Sequence, residues 1–234
     1  MNTILRRLSS SCAALLLAGA LSNAQAATYT IDPGAAWSGY MNVFELPANG
    51  GAYLWGSGWG TADLRASFSG PVLSLSPNTI GDPNPYWYIG GGGPGAAGNK
   101  IMEANFYQEF NGGLLGGQTV TFTGNVLLNS LTSAHTAIAF IKDFAPDYSS
   151  AVTTTIALTP GVFSFSLNTI NDPARHVQFG FTMKGVNVWA TDVAPYGQVD
   201  IVATAVPEPA TGALLMGGIV GLIAIRRNKT RTQI

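Results

Sequence analysis

The chain has 234 residues, 10% of them charged and 47% hydrophobic, with 29 Gly and 13 Pro. The formal charge of −1 hides a segregation: Arg6, Arg7, Arg226, Arg227, Lys229 and Arg231 sit at the termini, while residues 28–205 hold eleven acids against five bases. A middle that acidic excludes electrostatic binding to nucleic acid, and charge this sparse argues against a cytosolic enzyme.

In chain order, residues 1–26 have the three parts of a secretory signal peptide. Arg6 and Arg7 form a positive start, residues 12–21 an apolar run too short to span a bilayer, and Ala24 and Ala26 supply the small residues that signal peptidase reads. Cleavage is expected after Ala26. Cys12, the single cysteine, leaves with the signal. An exported chain without disulfides must hold its fold by core burial or bound metal. Residues 27–205 are long enough for one good core.

No long segment of that middle shows helical period. Short alternating runs rich in Val, Ile, Thr and Phe appear instead at 61–68, 118–128, 135–144, 152–158, 162–167, 176–183, 186–192 and 198–204, each bounded by Gly, Pro, Asn or Asp. In 162–167, Phe163, Phe165 and Leu167 share one face and Val162, Ser164 and Ser166 the other, a buried face and a wet one. Roughly ten such strands, with no crossover helices between them, predict an all-β antiparallel β-sandwich.

Two loops stand out. The glycine run at 90–99 is low-complexity and expected to be mobile. Its Gly90-x-Gly92-x-x-Gly95 spacing imitates a dinucleotide fingerprint, but no helix follows to receive a phosphate. The segment "NTIGDPNP" at 78–85 is echoed by "NTINDPAR" at 168–175. Asp before Pro starts a bend, and the flanks do not match, so these read as two similar turns.

Catalytic patterns are missing. The mature chain has no thiol, no Gly-x-Ser-x-Gly elbow and no His-Glu-x-x-His. His135 and His176 each open an apparent strand and read as strand-edge residues. Asp143 and Asp147 flank Pro146, which places them on a loop, either as solvated acids or as Ca2+ ligands; Asp192 and Asp200 are further candidate ligands. Aromatic residues crowd 37–59 and 86–88. Trp55, Trp59 and Trp87 are the candidate ligand-binding residues, since flat rings stack on sugar faces and neighbouring glycines would leave them uncovered. The competing assignment is burial in the core.

The C-terminus brings Pro207-Glu208-Pro209, an uncharged run at 210–225, and Arg226-Arg227 with Lys229. The run would make a helix of about 24 Å, slightly under a hydrocarbon core, with the basic cluster on the cytoplasmic side. Glycines at 217, 218 and 221 suit close helix contact in a membrane.

The order triplet, apolar helix and basic cluster, over residues 206–229, resembles the PEP-CTERM sorting tail. That resemblance implies recognition by exosortase in a Gram-negative producer of exopolysaccharide, an inner-membrane precursor, and a product at the cell surface or in its matrix. The middle, with "LTPG" as a turn into a ladder pair and "VQFGF" as a central strand, looks like a galactose-binding-like jelly roll of the kind found in carbohydrate-binding modules. The tail's resemblance, the aromatic cluster and the missing catalytic motifs together point to a non-catalytic surface protein that binds carbohydrate or exopolysaccharide. A structural biofilm-matrix or adhesion protein and a secreted hydrolase are the alternatives. Intact mass of the exported protein should show loss of residues 1–26 and of everything after about Glu208, because the prolines hold that stretch extended and open to a protease; a retained apolar tail would contradict this.

Overall fold

A computed structural model describes residues 26–204. The bulk of the expected signal peptide, the apolar run at 210–225 and the sorting residues Pro207, Glu208, Pro209, Arg226 and Arg227 lie outside the described residues. Among the described residues no helix is long and apolar enough to cross a membrane.

The strands are β1 (Ala26–Tyr29), β2 (Ser38–Glu45), β3 (Tyr53–Gly58), β4 (Ala66–Ser69), β5 (Val72–Leu75), β6 (Lys100–Phe110), β7 (Thr119–Asn129), β8 (His135–Phe144), β9 (Ala151–Ala157), β10 (Gly161–Asn168), β11 (His176–Val186) and β12 (Val199–Val202). One sheet runs β3-β2-β6-β11-β8-β9 and is antiparallel throughout. The other runs β10-β7-β12-β5-β4. Here β1 lies parallel to Thr119–Phe122 of β7, end to end with β12 on the edge opposite β10. From β5 onward the chain alternates between sheets, except for the β8–β9 hairpin within one of them, to build β5-β12-β7-β10 against β6-β11-β8-β9, the arrangement of a jelly roll.

Period-two alternation decides the inward faces. On β11, Val177, Phe179, Phe181 and Met183 enter the core, while Gln178, Gly180, Thr182 and Lys184 point away from it. On β6, Met102, Ala104 and Phe106 point in and Glu103, Asn105 and Tyr107 out. Phe122 of β7 bridges the sheets, with ring centroids 5.1 Å from Phe179 and 5.3 Å from Phe181. Trp37 stacks on Phe106 at 4.4 Å. Tyr88 is fully buried below the 76–99 segment; its hydroxyl accepts from the Ile80 N–H at 3.2 Å and lies 2.7 and 3.1 Å from the Ile80 and Val188 carbonyls.

Several expectations are corrected. The run at 186–192 is not a strand. Asn187 ends β11: its main-chain N–H donates to the Lys100 carbonyl, and its side chain accepts from the Lys100 N–H and donates to the Trp87 carbonyl. A 3-10 turn follows at Ala190–Asp192. The strand expected over 61–68 begins only at Ala66, after Arg65 turns with a positive φ of 58°. The glycine run is tied down: Gly92 N–H donates to the Pro83 carbonyl at 2.8 Å, Ile89 N–H to Ala97 at 2.9 Å and Gly95 N–H to Asp192 at 2.6 Å. Residues 158–161 carry the chain across from β9 to β10 in the other sheet, so those neighbours are not a ladder pair. The echoed segments do form like turns, with Asp82 accepting from the Asn84 N–H and Asp172 from the Ala174 N–H, each at 2.9 Å.

Phe122→Ala empties the contact between the two central strands. Its expected cost is about 3–5 kcal/mol, read from urea unfolding of the exported protein.

Candidate functional site

The outward face of the β3-β2-β6-β11-β8-β9 sheet holds a cleft of about 580 Å³. Strand β2 contributes Tyr40 and Asn42, β6 contributes Asn105, Tyr107 and Glu109, and β11 contributes Gln178. Lys142 and Phe144 of β8, with Tyr148 just beyond, close one side. Alternation puts each on the outer face, and register aligns them: Tyr40 is opposite Asn105, and Tyr107 is opposite Gly180.

Two glycines make room for the tyrosines. A Cβ on Gly56 of β3 would come within 2.7 Å of the Tyr40 ring and 2.6 Å of the Asn42 amide oxygen. A Cβ on Gly180 would meet the Tyr107 Cα at 2.6 Å and the Phe106 carbonyl at 2.1 Å. The Tyr40 ring therefore lies close over the bare backbone of Gly56, and Gly180 leaves room for the main chain at Tyr107. Tyr40 is 37% exposed and Tyr148 47%.

The polar groups are held in place by each other. Glu103 accepts from Asn42 Nδ2 at 3.1 Å and Lys184 Nζ at 2.8 Å. Burial pushes the Glu103 carboxyl up, but those bonds and the Lys184 and Lys142 charges bring it below its ordinary value. Asn105 Oδ1 accepts from Lys142 Nζ at 3.2 Å and Thr182 Oγ1 at 2.8 Å. Burial lowers the Lys142 pKa and the Glu103 charge opposes it. Glu109 accepts from Gln178 Nε2 and, at 3.0 Å, from the Tyr148 hydroxyl. Burial, then that bond and the carboxylate charge, push Tyr148 up to about 12. Burial also raises Tyr107, with Glu109 and Tyr40 adding to it. Both tyrosines are thus neutral hydrogen-bonding groups at any physiological pH.

The three tryptophans picked from the sequence lie elsewhere. Trp55 and Trp87 meet edge to face at 6.0 Å, and Trp55 Nε1–H donates to the Tyr86 hydroxyl at 2.9 Å. Lys100 lies 4.6 Å from the centre of the Tyr86 ring. Trp59 is apart from them, donating to Ser57 Oγ at 3.0 Å beside a second cleft with Asp63 and Arg65. All three are half-buried and packed on the core. The cleft's own residues escape the sequence reading, apart from Tyr40 as a member of the aromatic crowd at 37–59. A strand's alternation reveals which residues share a face but not which strands lie side by side.

Asp143 is not on a loop. It is on β8, side chain inward and 0% exposed, and binds Arg175 Nε at 2.8 Å and the Ile170 N–H at 2.8 Å. Asp147 lies on the following loop, and its carboxylate accepts from Ser149. The two carboxylates share no partner among the described residues. Asp192 binds Gly95 and Thr191, and Asp200 binds Ser74 and Gln198. Among the described residues no three of His, Cys, Asp or Glu gather as a metal site. Glu103 and Glu109 sit six positions apart on one strand, which separates their backbones by about 20 Å, far beyond the 5–9 Å of a glycosidase pair.

Residues 205–228 match the PEP-CTERM protein-sorting motif. No curated protein and no solved structure matches the chain. The motif marks an exported protein with a membrane-anchored precursor, processed by exosortase. The site above belongs to the cargo that the motif delivers.

The histidines do not join the cleft. Both ring nitrogens of His176 face acceptors, Asn111 Oδ1 at 2.6 Å and the Pro146 carbonyl at 3.2 Å, and its ring stacks on Tyr148. His135 is buried. Its Nε2 lies 2.9 Å from the Val186 carbonyl, and Nδ1 has no partner among the described residues. Burial lowers its pKa from 6.5, with the Val186 bond opposing. Protons therefore bind the unfolded chain more readily than the fold. Stability from this group is intact above pH about 6.5 and is lost as pH falls through that value toward the lower folded one. The melting temperature of the exported protein should drop between pH 7.5 and 5.5, and the drop should shrink in His135→Gln.

Proposed function

We propose that this exported, exosortase-processed protein is a non-catalytic polysaccharide-binding protein of the Gram-negative cell surface or matrix, with the outer-sheet cleft as its site. Tyr40 and Tyr107 would present ring faces to the C–H patches of successive sugars. Asn42 and Lys142 would reach the hydroxyls, with the buried Asn105 holding Lys142 and the buried Gln178 holding Glu109. The observation that carries this reading is the presence of two tyrosines, Tyr40 lying over Gly56 and Tyr107 on the neighbouring strand, with Asn42 and Lys142 already held in place in one open cleft. A ligand site of this kind needs apolar walls and a few fixed polar groups. Because Glu103 already holds Lys184 and Asn42, and Glu109 holds Tyr148 and Gln178, little side-chain entropy remains to be lost on binding. The delivery route fits the same reading, since the motif sends the domain outward past the inner membrane.

The distance between Glu103 and Glu109 supports a binder over a hydrolase. Trp55 and Trp87 serve as a buttress on the core in this account and not as the stacking surface. Affinity gel electrophoresis in matrix exopolysaccharide tests it. Retardation is expected for the exported protein and should fall at least about tenfold in Tyr40→Ala and in Tyr107→Ala, about 1.4 kcal/mol or more. Both positions face outward, so melting temperature should change little. Retardation that survives both substitutions and vanishes with Trp55→Ala would move the site to the tryptophans.

A further inference from the structure

Strand β9 ends its sheet. It pairs with β8 on one side, and among the described residues no strand pairs with its far edge. Exposed edges usually carry a charge, a proline, a bulge or a short length that stops them from adding strands. The edges formed by β3 and β4 follow this habit: the β2–β3 register shifts at Val43/Phe44, and β4 has 4 residues. Strand β9 has none of these devices. Ala151–Ala157 runs in unbroken register along Phe144–Ile138, and residues 148–171 contain no charged side chain.

Its sequence is also symmetric. In Ala-Val-Thr-Thr-Thr-Ile-Ala, a two-fold axis at Thr154 would place Ala151 opposite Ala157, Val152 opposite Ile156 and Thr153 opposite Thr155 of another copy. A two-fold contact must be self-complementary, and this edge is so residue by residue. Each position meets its own kind, with a threonine pair on either side of the axis, a cross-strand pairing that stabilises antiparallel ladders. A foreign strand would have no reason to match that symmetry.

We propose that β9 is the interface of a two-fold dimer, pairing antiparallel with β9 of a second copy about Thr154. The six-stranded sheet then continues through both molecules. Thr153 and Thr155 lie on the same face as Lys142 and Phe140, their partners on β8, so the outer clefts of both copies open on one shared surface. The contact is one strand wide, so the dimer depends on concentration and is favoured where exported protein is crowded. This inference stands on the edge strand alone and does not need the cleft to bind carbohydrate.

Sedimentation velocity of the exported protein over a concentration series tests it, with two double variants. Thr153→Glu with Thr155→Glu sets like charges opposite each other across the axis. Thr153→Glu with Thr155→Lys sets opposite charges there. In both variants the carboxylate introduced at position 153 has the same neighbour within the chain, Lys142 of β8. The wild-type protein should pass from monomer to dimer as concentration rises. The Glu/Glu form should dissociate about tenfold more readily, and the Glu/Lys form should regain dimerisation. Regained pairing also shows that substitution at these positions leaves the fold intact. A wild-type protein that stays monomeric, a Glu/Glu form that dimerises unchanged, or a Glu/Lys form no better than Glu/Glu would each overturn the proposal.

Discussion

Phe122, wedged against Phe179 and Phe181, is the contact on which this structure rests. It joins the central strand of one sheet to the central strand of the other. Cys12 is the single cysteine of the chain, so no disulfide can form within it. Burial of apolar side chains between the sheets is the main stabilising contribution that the fold displays. Strand β11 is the most enclosed: its ladder partners are β6 and β8, and its inward Val, Phe, Phe and Met are matched outward by Gln, Gly, Thr and Lys. The outer half of that alternation builds the cleft. Core and cleft are two faces of one strand, so the packing that fixes Phe181 also fixes Gly180 opposite Tyr107.

This coupling explains which parts of the structure are legible in the sequence. The run at 135–144 has the boundaries of β8, because Ala137, Ala139 and Ile141 alternate cleanly with turn residues outside. The longest omission is β6. Lys, Met, Glu, Ala and Gln favour helices, and Lys100 occupies an inward position, buried against Glu45 at 3.2 Å. Local propensity points away from a strand that tertiary pairing with β2 and β11 enforces. The site fails to appear for a related reason. Tryptophan draws attention because it is rare and large, yet Trp55, Trp59 and Trp87 are largely consumed in packing. The cleft uses tyrosines and amides from strands distant in sequence, brought together by a register that no single segment encodes.

Asp143 shows the limit from the other side. A carboxylate near a proline suggests a solvent loop and a cation. Its position on the inward face of β8 instead removes it from water, and Arg175 with the Ile170 N–H compensates. The Arg175 guanidinium also donates to the Asp143 carbonyl at 2.7 Å, which fastens the turn at 169–175 to the end of β8. The echo between 78–85 and 168–175 is thus a shared local turn put to different uses: the first wraps Tyr88, and the second receives Asp143.

The placement of the termini relates the fold to its delivery. Strands β1 and β12 approach each other along one edge of β7, and the Thr204 N–H donates to Thr30 Oγ1 at 3.1 Å. Thr204 also meets Thr123 at 3.0 Å. The sorting motif begins at the next residue, 205. Only about four residues, at most some 14 Å of extended chain, then separate the last hydrogen-bonded position from Glu208. A cut near Glu208, where the proline–acid–proline triplet predicts it, would fall close to the completed sheet edge. The strands that enclose Phe122, the cleft and the β9 edge are all built from residues before Thr204, so a cut near Glu208 divides the chain beyond the last of them.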